Sequence, residues 1–184
     1  AGRYEYKNKG IDTFIESLKH LYEFGDMTRQ VVAFIMVPAW VKSVRNDLAN
    51  SLAQPGNKLY SHNRITTHEL HDYYNDNVMG ALHWFHIRNQ ADERVKVVFV
   101  PSYLNGSDGI FNKSYYDLLI GMDLSVFPSY YEPWGYTPLE SVAFSVPTIT
   151  TDLSGFGQWV SAHPQGIETG VGVIHRSEYN GYEV

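Results

Sequence analysis

Short strand-like runs alternate with helix-spaced segments along this chain, and that alternation limits it to one class of fold. Val31 to Met36 is a continuous buried-strand run. Further strands are expected at Val95 to Val100, Leu124 to Phe127, Thr148 to Thr151 and Val171 to His175. Ile11, Phe14, Ile15, Leu18, Leu21 and Tyr22 fall at helical spacing between Ile11 and Phe24, and helices are expected at Asn112 to Ile120 and Pro138 to Phe144. Such an order implies an α/β fold with a doubly wound, parallel sheet. With 184 residues, 43% hydrophobic and 15% aromatic content, the chain can bury a real core, and a single domain over 1–184 is expected.

About sixty residues separate the strand near Val31 from the one near Val95, where a simple crossover needs about a dozen. An insertion is therefore expected at 41–94. It reads as two helices, Val41 to Ala53 and Thr67 to Ile87, the second with Leu70, Tyr73, Tyr74, Val78, Leu82 and Phe85 at helical spacing. A helical hairpin of this kind could pair protomers into a homo-oligomer. His68, His71, His83 and His86 form i,i+3 pairs in that second helix, a spacing that can bind a metal. Without cysteine or converging carboxylates, polar helix faces explain these histidines better, and no metal site is expected.

A net charge of −6 argues against a nucleic-acid surface, which needs clustered Lys and Arg. The longest apolar run, Val31 to Trp40, contains Pro38 and is too short to span a bilayer, so no membrane segment is expected. The absence of cysteine removes disulfides, thiolate nucleophiles and thiolate metal sites, and fits a cytoplasmic protein. The chain starts without Met and without an apolar strand before Ala1, and Tyr182-Glu183-Val184 carries no stop signal. Both ends read as truncations.

Chemistry concentrates in Phe127-Pro128-Ser129-Tyr130-Tyr131-Glu132-Pro133-Trp134-Gly135-Tyr136-Thr137-Pro138-Leu139-Glu140. It reads as a strand-to-helix turn bracketed by two carboxylates, where ligands bind in open α/β sheets. Thr137 suits the N-cap, Pro138 the first helical position, and Gly135 a close backbone approach to a ligand. N–H groups at such a helix start can hold a phosphate. Thr137 and Glu140 also match a capping box, and on those residues alone the structural and functional readings of Glu140 stand even. The cap does not explain Glu132, which precedes the helix.

The whole run closely resembles the signature of eukaryotic-type glycogen synthases, glycosyltransferase family 3. Ala1-Gly2-Arg3-Tyr4-Glu5-Tyr6-Lys7-Asn8-Lys9-Gly10 resembles the opening of that family's C-terminal domain, and Thr151-Asp152-Leu153-Ser154-Gly155-Phe156-Gly157 the loop after the next strand. The resemblance implies the Rossmann-like, donor-nucleotide-binding half of a two-domain GT-B glycosyltransferase. It implies retaining transfer of glucose from UDP-glucose, with ADP-glucose kept open, to an α-1,4-glucan such as glycogen. The acceptor would be met through an N-terminal domain outside this chain, so the chain alone is expected to transfer nothing. No cofactor or metal is implied.

Residue by residue, the resemblance puts the donor phosphates on Arg3 and Lys9, with Lys7 as the in-motif competitor. Uracil stacking falls to Tyr115, with Tyr103 where the family usually has Phe. Glu132 would contact the glucose hydroxyls, Trp134, Gly135, Tyr136 and Thr137 would face sugar and phosphate, and Glu140 would hold the ribose. Apart from the resemblance, Arg3 and Lys9 read more readily as solvated surface charges, and a lone tyrosine as core. No residue is a convincing covalent nucleophile, and a front-side route assisted by the departing phosphate is expected. Two alternatives stay open: another retaining GT-B enzyme, of sucrose-synthase or lipopolysaccharide type, and a non-catalytic nucleotide-sugar-binding scaffold.

Overall fold

The computed structural model describes residues 1–54, 56, 62–163 and 170–176. Tyr182-Glu183-Val184, read above as lacking a stop signal, lie outside the described residues. Two compact units are present, one comprising Ala1–Tyr4 and Ile15–Ser114, the other Glu5–Phe14 and Tyr115–Val184. The fold is α/β with parallel strand pairing in both units, as the strand–helix alternation implies.

In the first unit, helix α1 (Ile11–Phe24) turns buried Ile15 and Leu18 inward, and its first turn belongs to the second unit. Strands β1 (Val31–Met36) and β4 (Val95–Val100) pair in parallel, Val31 opposite Val95 through Met36 opposite Val100. Val95, Val97, Phe99 and Val100 are fully buried, so β4 supplies much of this core. The segment around Thr66 lies along the strand: Thr67 N–H donates to Phe99 O at 3.0 Å and Phe99 N–H to Ile65 O at 2.9 Å.

The insertion departs from two helices. Strands β2 (Val41–Val44) and β3 (His68–Leu70) pair antiparallel, followed respectively by helices α2 (Asn46–Ala53) and α3 (Asn77–Trp84). Branched Val41, Val44, Thr66 and Thr67 favour an extended backbone at both starts, which the helical spacing of the larger apolar residues conceals. His68 is locked into the strand: one ring nitrogen meets Asp108 O at 2.8 Å and the other meets Thr67 Oγ1 at 2.8 Å. Asp76 caps α3 by accepting from Met79 N–H at 3.0 Å, so the helix starts well after Thr67. His68 and His71 lie in and just after β3, and His86 lies beyond the end of α3, so neither expected pair sits on one helix. Among the described residues, no three His, Cys, Asp or Glu side chains converge as metal ligands. None of the described helices is long and apolar enough to cross a membrane.

The helix expected from Asn112 is delayed too. The Asp108 carboxylate accepts from the N–H groups of Ile110, Phe111 and Asn112, which holds a loop, and α4 runs only from Tyr115 to Leu119.

The second unit holds a parallel sheet in the order β5 (Ser125–Phe127), β6 (Thr148–Thr151), β7 (Val171–Ile174). Helices α5 (Tyr136–Ala143) and α6 (Gly155–Ala162) follow β5 and β6. Phe156 and Val160 of α6 pack on Val171 of β7, with Val142 and Val173 against them. Ser154 caps α6, its Oγ accepting from Gly157 N–H at 3.0 Å. The loops after β5, β6 and β7 lie at the carboxyl ends of parallel strands, where this architecture presents ligand groups.

Candidate functional site

The turn from β5 into α5 is held mainly by backbone. Glu132 N–H donates to Leu153 O at 3.3 Å, Gly155 N–H donates to Glu132 O at 3.0 Å, and Phe156 N–H donates to Trp134 O at 2.6 Å. The two sequence stretches that flank β6 are therefore bonded to one another. From that turn the Glu132 carboxylate reaches the Lys9 ammonium and pairs with it. Both side chains are mostly buried, 16% and 19% exposed, so their attraction is less screened than that of a surface pair.

Lys9 gets there because its loop closes tightly over β5. Lys9 N–H donates to Glu5 O at 2.8 Å, Gly10 N–H to Lys7 O at 2.9 Å, and Tyr130 N–H to Asn8 O at 2.9 Å. Gly10 has φ +65°, and a Cβ on it would lie 1.9 Å from Pro128 O. Only glycine permits this approach. The competitor Lys7 is placed otherwise: it is 79% exposed and pairs with Asp12 at 2.7 Å, whose hydrogen bond and charge raise its pKa.

The start of α5 differs from the expected cap. Gly135, at φ +102°, is the N-cap, so Tyr136 opens the helix and Thr137 sits one position inside it. Pro138 moves to the third position, still within the turn where a missing N–H costs nothing. No side chain caps this end, and the Thr137–Glu140 capping box does not form. The left-handed conformation at Gly135 ends the turn earlier than the Thr-Pro pair suggests. The Glu140 carboxylate is thus not engaged in a cap. It faces α4 instead: the charge and hydrogen bonding of Glu140 raise the pKa of Tyr116, and its charge also acts on Tyr115.

Tyr115 is half-buried, and burial is the main reason its phenol is pushed up to about 12. Its hydroxyl makes no hydrogen bond within the described residues. Neighbouring Ser141 donates its own hydroxyl to Thr137 O at 2.9 Å. Tyr116 meets Tyr115 edge-on and stacks on Phe144 with centroids 5.0 Å apart. Trp134 packs edge-on against Phe156 at 6.2 Å, while Tyr136 is exposed.

Lys9, Tyr115, Glu132, Trp134, Gly135, Tyr136, Thr137 and Glu140 thus all belong to the second unit. Arg3 and Tyr103 belong to the first, beyond the carboxyl ends of β1 and β4. Tyr103 is 75% exposed, which leaves its ring face open. Arg3 is exposed, and its neighbours are fixed: Gly2 N–H donates to Met36 O at 3.2 Å, and Tyr4 Oη donates to Asp76 at 2.7 Å while accepting from Val78 N–H at 3.1 Å.

A family model described as glycogen synthase matches residues 1–55 and 56–182. Glycogen [starch] synthase isoform 1 of Saccharomyces cerevisiae is 32% identical over 220 residues, covering 87% of this chain and 31% of the yeast protein. The Neurospora crassa glycogen [starch] synthase is 32% identical over 85% of the chain and 30% of its own length. Human liver glycogen [starch] synthase is 32% identical over 89% and 30% respectively. The chain belongs to the glycogen synthase family. It spans under a third of the length of these relatives.

Within a glycogen synthase frame, four residues that the sequence did not single out become visible. Tyr116 touches Glu140, Asp12 holds Lys7, and Tyr130 and Arg176 pack together behind the Glu132 turn. One tyrosine on a short helix, one in the turn, an aspartate in the first turn of α1 and an arginine after the last strand carry no periodic signal. Only their spatial partners give them meaning.

Proposed function

We propose that this chain is the donor side of a glycogen synthase, which transfers glucose from UDP-glucose to the non-reducing end of an α-1,4-glucan with retention at the anomeric carbon. The observation that supports this most is the Lys9–Glu132 pair, joined across 123 positions at the carboxyl end of β5 and beside the start of α5. A cation there can meet the negative charge that grows on the departing pyrophosphate, where stabilisation counts most in the transition state. Substrate hydroxyls would exchange for part of the Glu132–Lys9 contact, leaving the carboxylate on glucose and the ammonium on phosphate.

Arg3 adds a second cation with a planar fork of donors. The Trp134–Thr137 turn presents backbone N–H groups to sugar and phosphate. Glu140, not engaged in capping, holds the ribose, and the rings of Tyr115 and Tyr103 take the base. A carboxylate paired with an ammonium is a poor nucleophile, and Glu140 sits on the helix beyond it. Displacement therefore runs on the front face, assisted by the leaving phosphate, and not through the two-carboxylate route of retaining glycosidases. The reading calls for no metal or cofactor. It places the enzyme in the cytoplasm, the glucan on a further domain, and self-association on the insertion, and it leaves the isolated chain without transferase activity.

Calorimetric titration of the chain with UDP and ADP, repeated on Tyr115→Ala and Arg3→Ala, tests the donor site. Uridine-selective binding that both substitutions weaken is the expected result. Equal binding of ADP would redirect the donor to ADP-glucose. A folded chain that binds neither nucleotide would overturn the reading.

A further inference from the structure

Arg176 follows β7 and has no place in the donor chemistry above, yet its position is closely fixed. Its own N–H donates to Asp152 Oδ1 at 3.0 Å, and Asp152 N–H donates to Ile174 O at 3.1 Å, which ties the end of β7 to the end of β6. The other Asp152 oxygen pairs with His175. From this anchor the guanidinium lies 3.8 Å over the Tyr130 ring, donates to Pro128 O at 3.0 Å and reaches Thr13 Oγ1 at 3.4 Å.

Tyr130 is the residue that joins the two halves of the ion pair. Its N–H holds Asn8 O, next to Lys9, and it lies just ahead of Glu132 in the turn. Its hydroxyl meets Thr13 Oγ1 at 3.2 Å and Asp12 at 3.5 Å, so the ring is fastened at its far end as well. We infer that Arg176 is a positioning residue: by clamping Pro128 and Tyr130 it fixes the backbone on which Gly10 and Asn8, the neighbours of Lys9 on either side, are seated. The inference rests on the donor-site reading above.

The chemistry of arginine suits the task. The flat face of a guanidinium can lie over an aromatic ring while its N–H groups donate outward in its own plane, and an ammonium cannot do both. Lysine at 176 keeps the charge and loses the clamp. The register between Asn8 and Tyr130 then loosens, and Lys9 and Glu132 must be ordered by the nucleotide at the expense of affinity.

Arg176→Lys and, independently, Tyr130→Leu are made in the chain and in its Lys9→Met variant. Each is read by hydrogen exchange of the backbone amide at position 130, relative to its sequence-corrected intrinsic rate, without nucleotide and by calorimetric titration with UDP. Exchange at position 130 is expected to quicken on the order of tenfold while the β6 amides keep their protection, and UDP affinity to fall by a similar factor. That loss should vanish when Lys9 is already methionine, because the clamp acts through Lys9. An equal loss in both backgrounds, or unchanged exchange at position 130, overturns the inference. If the parent chain binds no UDP, the donor-site reading fails by itself, and the exchange result alone decides whether Arg176 fixes the turn.

Discussion

Replacing Gly10 with alanine forces a methyl group into the carbonyl of Pro128. The ideal Cβ lies 1.9 Å from Pro128 O and 2.6 Å from its carbonyl carbon. Ordinary contact begins near 3.4 Å, so one backbone must retreat by about 1.5 Å. Both partners are main chain, and neither can rotate away. Holding alanine at φ +65° costs about 1–2 kcal/mol, and the forced displacement adds about 1–3 kcal/mol. The expected destabilisation is therefore about 2–5 kcal/mol, against a typical total of about 5–15. Gly106 is the natural control, since its φ is +95° and a Cβ there meets nothing within 4 Å. Gly106→Ala should cost only the strain. In urea, with a slope of about 1–3 kcal/mol per molar, Gly10→Ala should lower the unfolding midpoint by on the order of 1–2 M and Gly106→Ala by much less. The same retreat separates Asn8 O from Tyr130 N–H and pulls Lys9 off Glu132, so UDP binding should be lost in the folded fraction of Gly10→Ala and kept in Gly106→Ala. Equal midpoints for the two variants would refute the steric argument, and undiminished UDP binding by Gly10→Ala would refute the link between this loop and the site.

Two further outcomes follow from the same structure. Asp76→Ala removes both the cap of α3 and the acceptor for the Tyr4 hydroxyl, and should lower stability by about 1–3 kcal/mol in denaturant unfolding; a change within experimental error would show that the cap is replaced. Tyr115 should ionise near 12 in an ultraviolet pH titration, and Tyr115→Phe should delete that late step. Because its folded pKa lies above the ordinary value of 10, burial of the neutral phenol contributes fully below pH 10 and is lost as pH rises towards 12, so alkaline unfolding should begin later in Tyr115→Phe than in the parent.

The strands and the first helix were legible because their signals are strong and local. Val31–Met36, Val95–Val100 and Thr148–Thr151 fall where the sequence puts them, as does α1. The insertion was not, because Leu70, Tyr73, Tyr74 and Val78 keep helical spacing across a strand and a turn. What separates them is Asp76, whose cap resets the helix start, and His68, whose partners at Thr67 and Asp108 hold an extended backbone. Around the candidate site, the strand-to-helix turn was legible and the start of its helix was not. Thr137-Pro138 is a good helix start by propensity, yet a left-handed Gly135 begins the helix sooner. Lys9 was preferred over Lys7 only by resemblance to a family, and the structure supplies the physical distinction: one lysine is nearly enclosed with Glu132, the other is solvated beside Asp12. Arg176 was beyond reach, since a single cation after a strand announces nothing until its ring partner is known.

The second unit is assembled from chain regions made at different times. Its opening piece, Glu5–Phe14, leaves the ribosome more than a hundred residues before the strands that complete it. At about 5–20 residues per second, that segment waits roughly 5–20 s for β5 and the Glu132 turn to arrive. During that interval the loop carrying Lys9 has no Pro128 to close upon and no carboxylate to meet. Synthesis of everything between Lys9 and Glu132 therefore sets the earliest moment at which this pair can exist, however fast the local contacts form.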